Sequence, residues 1–460
     1  MTVTPTSREA TNASLQGPAD RTRPNAQRTL LASTAFLLFA SAVSQQALAR
    51  EEGHGFAEAR VSAFTGTTGE SWQAVQRFRP TLNMRIVDRV ALAVTVEAGL
   101  MQGRDPTAEL RRTVEESDLG PLLEAAGCTW PDRGHDLFRI HDASDYLEVD
   151  RLFIDVYQDD FDLRIGRQSL HWGSARFFNP TDPFPELLLA EPWRPRRGIN
   201  AARLTVPFGP LNDVMAVAAI DDALLQPRIA GRARLNFAGV NLAAVGAWRG
   251  DEDDTLVGLD LRGTTVVGWW AEAALFPGSE PHTELAVGID YSFPLFDRTV
   301  VLAQYYRNGA GATRPDEYAR PTALAGVGLP DCEINQPDEL AEPFEESPFA
   351  PVSLARDYLL LGTSFTFSPD WLLDTFMLQN LNDGTAFAIP TLTFIATGRL
   401  DLSLSAQIPF STWGDGGEFR PRPQDTRFEF DLEPNLDPIE VDLSGLVPSS
   451  TITFWARFSI

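Results

Sequence analysis

The 460-residue sequence predicts an all-β protein, a transmembrane antiparallel up-and-down β-barrel of about eighteen strands with short periplasmic turns and long extracellular loops. Three observations predict it. Polar and apolar residues alternate over segments of about ten residues, the reach of a tilted strand across an outer membrane. The connections sort by parity into short and long. The chain ends in a strand, "TITFWARFSI", with Ile452, Phe454, Ala456, Phe458 and Ile460 on one face.

The alternation is clearest at Gln73–Ile86, where Gln73, Arg77, Arg79, Thr81, Asn83 and Arg85 interleave with Ala74, Phe78, Leu82, Met84 and Ile86. After Val87-Asp88-Arg89 it resumes, and it recurs at Arg228–Phe237, Glu284–Phe293 and Leu400–Ile408. Successive side chains on a strand point to opposite faces, so each segment has one wet and one greasy face. Strands are expected near 56–66, 73–86, 89–101, 147–157, 162–172, 199–207, 212–220, 228–237 and 240–249. The second half continues near 255–262, 265–276, 283–293, 298–308, 357–367, 371–381, 385–396, 399–410 and 450–460. Tyr146–Tyr157 changes phase near Asp150-Arg151, the mark of a bulge. Every second connection is short ("VDR", "QDDF", "FGPL", "FAG", "RGT", "PLFD", "SPD", "TG"). The long ones, about 102–146, 173–198, 309–356 and 411–449, share the other parity. A soluble sandwich has no reason to sort its loops this way. In lipid, a closed sheet also satisfies every backbone N–H and C=O.

The N-terminus reads as a secretory signal peptide: Arg21, Arg23 and Arg28 precede the apolar "LLASTAFLLFASAV", and Ala47-Leu48-Ala49 offers a small-x-small cleavage site. Residues 1–49 are thus expected to be removed, leaving 50–460 as the barrel. The formal charge is −25, and the segment lost holds four Arg against one Glu and one Asp. So acidic an exported chain excludes nucleic acid as a partner. The sequence contains no lysine, so every basic side chain is a permanently charged guanidinium.

The stretch "LRIGRQSLHWGSARFFNPTDPF", Leu163–Phe184, runs from a strand into aromatics and prolines. With its "LRIGRQ" strand, "WG" and "NPTD" loop, and with the C-terminal strand, the chain resembles the porin-like and alginate-export-like outer-membrane barrels of Gram-negative bacteria. The likeness implies passage of small hydrophilic solutes or an anionic polysaccharide. It also implies recognition of the last strand by the barrel-assembly machinery, although Ile460 stands where an aromatic is usual. The cellular setting implied is the outer membrane, with lipid and lipopolysaccharide as surroundings.

Phe177, Phe178, Phe184, Leu187, Leu188, Leu189 and Trp193 are too many apolar groups to leave in water, so loop 173–198 is expected to fold into the barrel. Its Asp182, Glu186, Glu191, Arg194, Arg196 and Arg197 would then form the constriction. Alternation gives Arg77, Arg79, Arg85, Arg164, Gln168, Arg203, Arg228, Arg232, Arg234 and Arg457 to the lumen, with Glu97, Asp260, Glu272, Glu284, Asp290, Asp374 and Asp401 as the facing acids. These arginines make either an anion track or cross-strand pairs that stiffen the wall. Gly166 would leave room for a bulky lumen neighbour or kink its strand.

Cys128 and Cys332 fall in two long loops on one side and could form a disulfide there. Acidic loops, including "RGDEDD", read as solvated segments without calcium-loop spacing. No metal or other cofactor is expected. The five histidines (His54, His135, His141, His171, His282) match no catalytic motif, and there is no G-x-S-x-G or H-E-x-x-H. The sequence therefore predicts a non-enzymatic channel for small hydrophilic solutes, with anions as a candidate class. The rival readings are a barrel that anchors surface or assembly loops, and a rim hydrolase built on His135 or His141.

Overall fold

The computed structural model describes residues 52–67, 71–116, 120–121, 128–129, 138–142, 145–185, 194–220, 227–250, 254–278, 281–318, 331–332, 354–422, 427–430, 439–442 and 448–460. Residues 1–49, the expected signal peptide, lie outside them.

Eighteen long strands make one closed antiparallel barrel. In chain order they begin β1 Glu52–Thr65, β2 Trp72–Val87, β3 Val90–Gly103, β4 Asp145–Tyr157, β5 Asp162–Gln168 and β6 Ile199–Pro207. Next come β7 Asp213–Ile220, β8 Pro227–Phe237, β9 Val240–Arg249, β10 Asp254–Thr264, β11 Gly268–Phe276 and β12 His282–Phe293. The last six are β13 Arg298–Asn308, β14 Asp357–Ser368, β15 Trp371–Asn380, β16 Thr385–Thr397, β17 Leu400–Ser411 and β18 Ser450–Ser459. Each pairs with its sequence neighbours, and β18 pairs with β1 from Phe56 opposite Ser459 to Thr65 opposite Ser450. That last ladder removes the free edge an open sheet would leave. A short strand, Arg139–Asp142, extends the rim beside β4.

The connections keep the expected parity. One rim carries only tight turns, such as 88–89, 238–239, 369–370 and 398–399. The other carries 104–144, 169–198, 309–356 and 412–449, with the helix α1 (Pro106–Glu115) in the first of these. The outer face is apolar: Ile229 is 56 % exposed and Leu259 53 %, while their inward neighbours Ala230 and Ala274 are buried. Tyr157, Phe208, Phe237, Phe296, Phe367 and Trp371 are exposed beside the tight turns, an aromatic girdle of the kind that marks a membrane interface. No helix among the described residues is long and apolar enough to cross a membrane.

The expected phase change in β4 is a bulge. Thr95 faces Arg151 and Val96 faces Val149, which leaves Asp150 without a strand partner and turns its carboxylate inward. Strand β5 ends at Gln168, short of the expected residue 172, because the chain leaves the wall there for the barrel interior. Gly166 decides between its two sequence readings in favour of a backbone role. Its φ is +124°, and a Cβ would lie 2.2 Å from the Leu152 carbonyl oxygen, so backbone geometry rather than a bulky lumen side chain demands glycine.

Candidate pore lining

Past Gln168 the chain folds into the barrel and is fastened to the walls formed by β6–β13. Trp172 packs edge-on to Phe184 at 5.9 Å between ring centres among Leu170, Val217, Leu256 and Phe276. Phe178 stacks on Tyr306 at 4.3 Å and meets Phe177, Tyr358 and their neighbours in a second apolar cluster. Burying these rings supplies the apolar driving force for infolding.

Polar anchoring converges on one carboxylate. Glu272 of β11 is buried, and its Oε1 accepts the backbone N–H groups of Ser174 at 2.5 Å and Ala175 at 2.6 Å. Its Oε2 accepts the Thr181 N–H at 3.2 Å and the Thr181 hydroxyl at 2.8 Å. Gly173, at φ +88°, brings the chain so near Glu272 that a Cβ would sit 2.8 Å from both carboxylate oxygens. Gln304 of β13 accepts from Arg176 N at 2.7 Å and donates to the Phe178 carbonyl at 3.3 Å. Ser174 donates to Asp260 at 2.9 Å, and Arg176 pairs with Asp290 at 3.1 Å. The infolded segment is therefore a fixed part of the wall.

The opposite wall, β18 through β4, carries an ionic network. Glu58 pairs with Arg77 at 3.4 Å and Arg457 at 2.6 Å. Glu97 pairs with Arg77 at 3.1 Å, Arg79 at 3.2 Å and Arg194 at 3.1 Å, and it accepts the Tyr146 hydroxyl at 2.6 Å. Asp150 holds Arg79 and, at 2.9 Å, Arg151. Glu148 holds Arg197 at 2.9 Å, Arg167 at 3.4 Å and Arg139 at 3.8 Å. Among the described residues eight arginines thus surround four carboxylates. Arg194 and Arg197, at the return end of the infolded loop, join it where the chain re-enters the wall beside β4 and β5.

Several expected positions are relocated. Asp182 does not line an opening: it is 1 % exposed and holds Arg196 at 2.7 Å and His171 at 3.0 Å, because an internal carboxylate needs its partners against it. Gln168 is fully buried under the infolded segment and donates to the Ala201 carbonyl at 2.9 Å. Glu284 faces inward but is covered, accepting the Tyr306 hydroxyl at 2.8 Å. Arg77 faces inward yet is 2 % exposed, enclosed by its own acids. Arg164 pairs with Asp155 at 2.6 Å, and Arg232 with Asp213 at 3.5 Å. Arg234 is held by the same Asp213. Arg203, Arg228 and Asp290 are half-buried, and Arg85 is exposed near the tight-turn rim. Glu186, Glu191, Leu187, Leu188, Leu189 and Trp193 lie outside the described residues, as do His135 and the His141 side chain.

Loops at the long-loop rim are tied down by a network that sequence reading missed. Asn380 donates to Asp383 at 2.8 Å and Glu418 at 2.9 Å, and Tyr358 donates to Glu418 at 2.6 Å. Tyr318 donates to Asp383 at 3.0 Å; burial, and then the Asp383 carboxylate, pushes its phenol up, so it stays a neutral donor. These residues lie far apart in sequence, and none matches a motif.

Toward the tight-turn rim, the inner faces of β13–β18 line an open cavity of about 470 Å³ whose lining includes Asp374, Thr391, Thr393, Asp401, Ser403 and Arg457. No cluster of metal ligands occurs among the described residues. Cys332 stands opposite Cys128 in a two-residue antiparallel ladder between the loops.

No family model and no curated protein matches the chain. Solved structures similar in fold include OccK5 (OpdH) of Pseudomonas aeruginosa, at 10 % identity and TM-score 0.48, covering 88 % of this chain and 98 % of that one. OccAB4 of Acinetobacter baumannii has 9 % identity and TM-score 0.47, with 89 % and 97 % covered. Wzi of Escherichia coli, described as a carbohydrate-binding β-barrel involved in capsule assembly, has 9 % identity and TM-score 0.48, with 93 % and 88 % covered.

Proposed function

We propose that the chain is a passive, non-enzymatic channel of a Gram-negative outer membrane, admitting small hydrophilic solutes between the infolded segment and the ionic wall. In this reading residues 1–49 are cleaved on export, the last strand is read by the barrel-assembly machinery, and the apolar face meets lipid and lipopolysaccharide. The observation that carries it is the fastening of residues 170–184 to one wall, which narrows a lumen whose other wall is charged. The excess of arginine over carboxylate in that wall favours anions over cations of equal size. Purified protein in planar bilayers tests the reading. Stable conductance steps are expected, with a reversal potential under a salt gradient showing anion preference. Arg194→Ala, Arg196→Ala and Arg197→Ala together should move it toward cations, since Glu97, Asp182 and Glu148 each lose one counter-charge. Absence of conductance overturns it.

A further inference from the structure

The cavity near the tight-turn rim is charged in the opposite sense to the ionic wall above it. Its one cation, Arg457, is committed: Nε and Nη2 reach Glu58 Oε2 at 3.0 and 2.6 Å. Asp374 on β15 and Asp401 on β17 line the same space and have no hydrogen-bonded or ionic partner among the described residues. They flank β16, whose inward Thr391 stands opposite Asp374 and hydrogen-bonds Ser405 at 2.9 Å. Thr393, next inward on β16, hydrogen-bonds Ser403 at 2.9 Å. Two carboxylates without a bonded counter-charge, Asp401 with Arg457 as its ladder neighbour, thus stand at the two ends of a row of hydroxyls in a cavity of about 470 Å³, within the size range of small-molecule sites. A carboxylate accepts and never donates, so an N–H-bearing cation is its natural complement. Hydroxyls both donate and accept, and suit a hydroxylated solute.

We propose that this cavity is a binding station for a small hydroxylated ammonium ion, its N–H groups on Asp374 or on Asp401, which stand at opposite ends of the Thr391–Thr393–Ser403 row, and its hydroxyls on that row. The inference rests on the channel reading only for the route by which the solute arrives.

Calorimetric titration of the full-length protein in detergent tests it with three probes: glucosamine hydrochloride, neutral glucose and ammonium chloride. Glucosamine should bind roughly tenfold tighter than either, as expected of charge-assisted hydrogen bonds added to a hydroxyl frame. The double variant Asp374→Asn/Asp401→Asn should lower glucosamine to the level of glucose. The single variants should each give part of that loss, should the double variant fail to fold. Equal affinity for glucosamine and glucose overturns the proposal, as does a preference that survives the substitutions. Ammonium chloride binding as tightly as glucosamine overturns the role of the hydroxyl row. A protein that fails to conduct yet keeps the tenfold preference sinks the channel reading and leaves the station standing.

Discussion

The two walls of the lumen reach rigidity by different chemistry. On β6–β13 the infolded segment is held by aromatic packing and one buried carboxylate accepting four hydrogen bonds. On β18–β4 a lattice of guanidiniums and carboxylates holds itself together across strands and grips the segment's return end. The first wall excludes water, so its shape depends on a few irreplaceable groups. The second distributes its bonding over many pairs, each replaceable in part by its neighbours. The lesson is that arginine count overstates positive field: Arg77, Arg79, Arg164, Arg194, Arg196, Arg197 and Arg232 all have acids within 4 Å.

The comparison is broken most severely at Glu272. Glu272→Ala strands three backbone donors and the Thr181 hydroxyl inside the barrel, at a cost of about 3–5 kcal/mol in stability. Larger single-channel conductance and new protease cleavage within 169–185 are expected; unchanged conductance would mean the segment is not held from this side. On the ionic wall, Glu97→Gln should cost less, about 1–3 kcal/mol, since Arg77 and Arg79 retain Glu58 and Asp150. Its visible effect should be on selectivity, with the reversal potential moving toward anions. The smallest effect is expected outside both walls. The register of Cys128 and Cys332 puts their Cα atoms in the roughly 4.5–5.5 Å range of antiparallel partners, which a disulfide can bridge. Thiol titration of exported protein should find no free thiol until a reductant is added, and Cys128→Ser should leave conductance unchanged.

Much of the barrel is legible in the sequence. All eighteen strands are anticipated, most of them from period-two alternation although Val214–Ile220 is apolar on both faces, and the bulge at Asp150 is anticipated from a break in its phase. Infolding is legible from surplus aromatics in the loop. Partnership is not. Nothing in the spacing of Ser174, Ala175 and Thr181 points to Glu272, about ninety residues on, and Asp182 reads as an eyelet charge although it is a buried tie.

What the sequence alone determines here is the alternating face of most strands, the parity of the loops, and hence which side chains turn inward there, because side-chain direction along a strand is a local consequence of backbone geometry. The tertiary structure alone decides which inward charges are neutralised, which are covered by the infolded segment, and that Asp374 and Asp401 line a cavity without an ion pair among the described residues. Those outcomes depend on register around the whole ring and on one loop crossing it, distances that separation along the chain does not encode.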